Sequence, residues 1–141
     1  MTSPHQPVLY KEIIHALQPT RGGRYVDGTL GAGGHARGIL EACAPDGLLL
    51  GLDVDPQALA LARETLAPYE PRIRLVQASY TTLKDQLAAA NWDAVDGIVL
   101  DPPTFSTSKE SGTFQAEKDY GALVLEALPL LKPDGVLLAC T

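Results

Sequence analysis

A chain of 141 residues with 45% apolar and 20% charged side chains has room for one domain around one core. Its formal charge of −6 works against nucleic-acid binding through a basic face, and no apolar run is long enough to cross a bilayer. Cys43 and Cys140 are too few for a disulfide framework, and Met1-Thr2-Ser3-Pro4-His5 lacks the basic-then-apolar form of a secretory signal. A cytoplasmic protein with no membrane partner is therefore expected.

Pro7 opens a predicted helix over 7–18, with Leu9, Ile13, Ala16 and Leu17 on one side and Pro19 closing it. After the turn Arg21-Gly22-Gly23, a first strand spans 24–27 and runs into Gly28-Thr29-Leu30-Gly31-Ala32-Gly33-Gly34, four glycines in seven positions. Ala36, Ile39, Leu40 and Cys43 then repeat at helical spacing until Ala44-Pro45-Asp46-Gly47. Strand, tight turn and helix in that order form a site for a nucleotide-type ligand. Glycines allow close approach of the backbone, and the helix start supplies amides and partial positive charge.

Leu48 to Asp53 is a continuous apolar run, as expected of a strand covered on both faces. Asp55-Pro56 reads as an N-cap with proline at the first helical position, and Leu59, Ala62 and Leu66 face inward until Pro68 and Pro71. A third strand follows over 73–76, then a helix marked by Leu83 and Leu87, with Asn91 and Trp92 covering its end. The fourth strand, 95–100, ends in Asp101-Pro102-Pro103-Thr104-Phe105. A polar loop over 106–113 leads to a helix over 115–131, with Leu123, Ala127 and Leu131 inward and its last turn disturbed by Pro129. Lys132-Pro133-Asp134-Gly135 reads as a turn before a fifth strand from Val136 to Ala139. His15 reads as a surface residue and Cys43 as core.

Strands alternating with helices predict an α/β domain over 1–141 with a doubly wound parallel sheet. Right-handed crossovers give the order 3-2-1-4-5. Ligands on such sheets bind past the carboxyl ends of the strands, near the reversal of strand order. That edge collects Asp27 and the glycine loop, Asp53, residues 77–80 and Asp101.

The first half leaves two cofactors open. Gly31-Ala32-Gly33-Gly34-His35-Ala36 fits a dinucleotide pattern, and Asp53 stands where a carboxylate would meet ribose hydroxyls. S-adenosylmethionine would use the same features. Asp101-Pro102-Pro103-Thr104-Phe105 decides between them. A rigid turn leaves carbonyls and a carboxylate to accept from an exocyclic amine, and Phe105 can stack on a base. A dehydrogenase has no use for that arrangement.

Residues 5 to 101 resemble the bacterial 16S ribosomal RNA cytosine-N4 methyltransferases. The likeness rests on His5-Gln6-Pro7-Val8-Leu9, on the loop from Tyr25 through Asp27-Gly28-Thr29-Leu30-Gly31-Ala32-Gly33-Gly34-His35, on Leu52-Asp53-Val54-Asp55-Pro56 and on Val95-Asp96-Gly97-Ile98. The resemblance implies a Rossmann-like class I methyltransferase core. In it Asp27, Gly31, Gly33, Gly34 and His35 belong to the cofactor loop, the last three at the methionine end. It also places Asp53 on the ribose, with Tyr80 and Asp101 near the adenine and the methyl donor. Residues 101 to 141 instead resemble the 23S ribosomal RNA cytosine-C5 methyltransferases, through Asp101-Pro102-Pro103-Thr104-Phe105-Ser106, Phe114, Asp119-Tyr120, Lys132-Pro133-Asp134-Gly135 and Leu138-Ala139-Cys140-Thr141. That likeness puts a base-attacking cysteine at Cys140. Together they imply a join of two related halves near residue 101. The resemblance also implies two further strands in the complete fold that are not expected within these residues. Strand five is then expected to be an open edge through which two copies can pair.

The expected activity is methyl transfer from S-adenosylmethionine to cytosine of ribosomal RNA, at N4 or C5. The base would be flipped against Phe105, with Asp101 and the Pro102 carbonyl on its amine and Cys140 as nucleophile for C5. No metal is expected. An inactive module that binds the cofactor or only folds is the alternative, and a nicotinamide oxidoreductase stands below both.

Overall fold

The computed structural model describes residues 10–101 and 121–139. Helix α1 (Tyr10–Leu17) precedes β1 (Arg24–Asp27), α2 (Gly34–Ala42), β2 (Leu48–Asp53), α3 (Pro56–Leu66), β3 (Ile73–Gln77), α4 (Leu83–Ala89) and β4 (Val95–Leu100). A helical segment over residues 121–127, α5, then leads to β5 (Leu131–Ala139). The five strands form one sheet in the order β3-β2-β1-β4-β5, and every neighbouring pair is parallel.

The apolar runs are continuous because both faces of the sheet are covered. Tyr25, Leu49 and Val99 point to the side packed by Ile13, Leu17, Ile39, Leu59 and Leu66 from α1, α2 and α3. Val26, Leu50, Ile98 and Leu100 point to the other side, where Leu83, Leu87, Leu123 and Ala127 from α4 and α5 close the second core. Each inward position named above for α2, α3 and α4 is buried. Asp55 caps α3, accepting from the Gln57 amide at 2.9 Å with Pro56 at the first helical position.

Three expectations change. Within α1, Ala16 is exposed, and half-buried Ile14 packs on the core beside Ile13 and Leu17. The helix predicted to reach Leu131 ends at 127. Pro129 lies in a 3-10 turn, Leu128–Leu130, and Leu131 already pairs with Val95. Proline lacks an amide and clashes with the preceding turn, so the α-helical ladder stops before it. Lys132-Pro133-Asp134-Gly135 does not precede the strand but loops out within it. Val95 pairs with Leu131 and Gly97 with Val136, so four residues bulge opposite one. Lys132 reaches back from that bulge to Asp96 at 3.2 Å.

Trp92 does close the end of α4. Its amide donates to the Leu87 carbonyl at 3.0 Å, its ring joins the second core, and the Arg24 guanidinium lies over it at 5.6 Å. Asp96 accepts from the Arg24 amide at 2.8 Å, tying the starts of β1 and β4.

The carboxyl end of α2 is held by a side chain from a distant segment. Arg72 donates to the Leu40 carbonyl at 3.1 Å, in the last turn of α2 where a helix leaves acceptors unfilled, and to the Gly47 carbonyl at 2.9 Å in the turn beyond it. Arg72→Ala is expected to lower unfolding free energy by about 1–3 kcal/mol, the range for a charged donor lost from part-buried acceptors. Urea titration of the two proteins measures it, and equal midpoints would remove this tie from the account.

Candidate functional site

The chain leaves the carboxyl ends of β1, β2, β3 and β4 along one edge, and a cavity of about 500 Å³ opens there. Gly28, Thr29 and Gly31 line it from the loop after β1, and Asp53 and Val54 from the end of β2. Residues 78–81 contribute from the segment after β3, and Asp101 closes the β4 side. The volume lies within the range of small-molecule sites.

The loop after β1 is built by cross-strand ties. The Gly28 amide donates to the Val99 carbonyl and the Leu30 amide to that of Leu52, both at 2.9 Å, so the turn is stitched to β4 and β2 at once. The Gly31 amide donates to one Asp53 carboxylate oxygen at 2.8 Å, and the Asp55 amide donates to the other at 2.9 Å. Two main-chain donors thereby fix the orientation of Asp53. A carboxylate has about four acceptor positions, so capacity remains for further hydroxyl donors.

Gly31 has a φ of +55°, and a Cβ built there meets nothing within 4 Å. It is the loop glycine that faces open space, and it lines the cavity. Gly28 is glycine for another reason, since a Cβ would sit 2.6 Å from Leu100 and 3.1 Å from the Cβ of Tyr80. Gly33, with a φ of +92°, faces Leu66 and Ala62 of α3 and lets that helix pack against the loop.

The amides of the loop ahead of α2 are largely engaged within the protein. Gly28, Thr29, Leu30, Gly31 and Gly33 all donate to carbonyls or to the carboxylates of Asp27 and Asp53. The loop therefore shapes the crevice, and Asp53 presents its chemistry. Gly33, Gly34 and His35 are not among the described residues that line the cavity. Gly33 caps α2 without a side-chain hydrogen bond, Gly34 opens that helix, and the buried His35 ring stacks on Tyr10 with centroids 6.4 Å apart.

Asp27 is wholly buried at the end of β1. One of its oxygens accepts from the Thr29 amide at 3.1 Å and the Thr29 hydroxyl at 3.5 Å, while Oδ2 has no partner among the described residues. Burial pushes its pKa from an ordinary 3.8 up to about 7. The two Thr29 donors oppose the rise, and the charges of Asp101 and Asp53 add to it.

Tyr80 and Asp101 lie on the cavity wall. Pro102, Phe105 and Cys140, along with residues 5–9 and the loop over 106–113, lie outside the described residues. The sequence places residues 77–80 at this edge but assigns no role to Thr29, Val54 or Thr81, which also line the cavity. Val54 is a large apolar side chain exposed next to Asp53, and only its place beside that carboxylate marks it. Ser79 caps its own turn, accepting from the Thr81 amide at 3.1 Å.

An open parallel sheet in this order, with a glycine-shaped crevice past its carboxyl edge, is the Rossmann-like fold of the class I methyltransferases. TrmN from Thermus thermophilus superposes with a TM-score of 0.71 and 28% identity, over 93% of this chain and 37% of that one. The MraW methylase family model matches residues 2–107, and the chain belongs to that family. The ribosomal RNA small subunit methyltransferase H of Geotalea uraniireducens is 56% identical over 97 residues, which is 69% of this chain and 31% of that protein. The protein of the same name from Geobacter sulfurreducens is 50% identical over 101 residues, covering 72% and 32% of the two chains. The chain thus spans about a third of the length of these relatives. The family match runs past residue 101 without a break, so the expected join there has no support.

The buried carboxyl has a consequence for stability. The unfolded chain releases the Asp27 proton near pH 4 and the folded chain holds it to about 7, so folding takes up a proton in between. This contribution is complete below the lower value and is lost as pH rises through the upper one, on the order of 4 kcal/mol in all. Asp27→Asn is expected to flatten that slope. Urea midpoints at pH 4.5 and 8 compare the two proteins, and parallel pH profiles would contradict a raised Asp27.

Proposed function

We propose that this chain is the cofactor-binding part of an S-adenosylmethionine-dependent methyltransferase that modifies the N4 amine of cytosine in small-subunit ribosomal RNA, in the cytoplasm. The observation that carries the reading is the meeting of Asp53, Gly31 and Asp101 on one crevice. Membership of the MraW methylase family supports the chemistry, and the name borne by the Geotalea and Geobacter relatives supports the RNA substrate.

The residues present fit the cofactor. Asp53, fixed by two amides, has acceptor positions left for the ribose hydroxyls, and Val54 beside it offers an apolar surface to the adenine. Tyr80 and Ala78 form the facing wall, and the open space at Gly31 admits the adenosyl group close to the backbone. Gly33, Gly34 and His35 attend the methionine end through the start of α2. Bound S-adenosylmethionine would supply an electrophilic methyl group on a positively charged sulfur.

Asp101 borders the adenosyl group in the same crevice. Its carboxylate accepts a hydrogen bond from the exocyclic amine of the flipped base and orients its nitrogen. Pro102 and Phe105, outside the described residues, complete the proposal as second acceptor and stacking partner. The N4 route needs no cysteine nucleophile, and family membership favours it over C5 transfer through Cys140. No helix among the described residues is long and apolar enough to cross a membrane. β5 lies at the sheet edge, and pairing of two copies along it is part of the same proposal.

Calorimetry with S-adenosylhomocysteine and with NAD tests the cofactor. Saturable binding of the first and none of the second is expected, and the converse would return the site to the nicotinamide reading. Asp53→Asn should weaken S-adenosylhomocysteine about tenfold to a hundredfold, as loss of charged acceptors does. Labelled methyl transfer to a cytosine-containing RNA, with the product digested to nucleosides, then separates N4 from C5 modification.

A further inference from the structure

Beyond that assignment, we infer that Thr29 is the positioning residue of this site, its hydroxyl holding Asp101 at the crevice where the main-chain ladder between β1 and β4 has ended. The inference rests on the reading of the crevice as a cofactor site, and the geometry that supports it is independent of any ligand.

β1 and β4 pair in parallel from Tyr25↔Gly97 through Asp27↔Val99, and the Gly28 amide still reaches the Val99 carbonyl at 2.9 Å. In a ladder that continued, the Asp101 amide would next donate to a main-chain carbonyl on the β1 side. β1 has turned away by then, into the glycine loop. The Asp101 amide instead donates to Oγ1 of Thr29 at 2.8 Å. A side chain takes over the role of the missing carbonyl at the residue where β4 enters the cavity wall.

The threonine is itself held. Its amide donates to the Asp27 carboxyl at 3.1 Å, and its hydroxyl hydrogen is directed to the same oxygen at 3.5 Å. A hydroxyl has one hydrogen and two acceptor positions, so donation to Asp27 leaves it an acceptor for Asp101. Asp27 is wholly buried and Thr29 and Asp101 are half-buried, so the path is shielded at its Asp27 end and borders the cavity at its Asp101 end. The three residues form one path from the core end of β1 to the β4 carboxylate in the crevice. Serine keeps the path, and valine keeps the shape but breaks it.

Thr29→Val and Thr29→Ser are the test, with S-adenosylhomocysteine affinity and Asp101 amide hydrogen exchange as readouts. Thr29→Val is expected to speed Asp101 exchange about tenfold and weaken the ligand about tenfold, while Thr29→Ser stays within about twofold of the parent. Exchange at Ile98 and Val99 should not change. In an Asp101→Ala background, Thr29→Val should have no further effect on affinity, because it acts through Asp101. Unchanged exchange at Asp101, failure of serine to rescue, or an affinity loss that persists without the Asp101 side chain would overturn the inference. If the parent protein binds no S-adenosylhomocysteine, the cofactor reading fails, and the exchange experiment still decides whether Thr29 holds Asp101. Thr29→Ala replaces the valine variant should the latter not fold.

Discussion

The contact between the Asp53 carboxylate and the Gly31 amide, 2.8 Å across the ends of β2 and the loop after β1, is the constraint on which the rest of the site depends. A glycine-rich loop has many accessible conformations and gains little by choosing one. Here it is pinned at three points: Gly28 to β4, Leu30 to β2, and Gly31 to the acid that closes β2. With those ties made, the loop folds back from the crevice and leaves room above Gly31. The same ties turn the Asp53 carboxylate into a fixed acceptor rather than a solvated end of a strand.

The electrostatics of the edge follow from its topology. A doubly wound parallel sheet brings the carboxyl ends of its central strands together, and this chain places Asp27, Asp53 and Asp101 there. The three do not share one role. Asp53 and Asp101 line the cavity, whereas Asp27 is sealed beneath the loop, where burial first and the other two charges after it raise its pKa to about 7. The crevice thus presents two half-buried carboxylates with the apolar side chain of Val54 beside them.

The strands, their order and the inward faces of α2, α3 and α4 were legible in the sequence, because apolar periodicity and proline or glycine punctuation agree along that stretch. Asp53, Gly31, Tyr80 and Asp101 were legible as a group, since the strand order alone brings them to one edge. Other features were hidden. Ala16 fits an apolar stripe but is exposed, since a small side chain gains little from burial, and Ile14 packs on the core instead. The Lys132–Gly135 segment carries turn residues, yet it is a bulge inside β5, a distinction that depends on pairing with β4. Which glycine serves which purpose could not be read from spacing. Gly33 fits α3, Gly28 fits beneath Leu100, and Gly31 alone of the three opens onto the cavity. The role of Thr29 was invisible for the same reason, since its hydroxyl matters only once β4 lies alongside.

The central claim is that an adenosyl ligand occupies the crevice at the carboxyl edge of β1, β2 and β4. Amide chemical-shift mapping of the isotopically labelled protein during a titration with S-adenosylhomocysteine tests it directly. The account predicts shifts concentrated at Gly28–Gly31, Asp53–Val54, Ala78–Thr81 and Asp101, saturating together. Shifts confined to another face, or none at ligand excess, would contradict it.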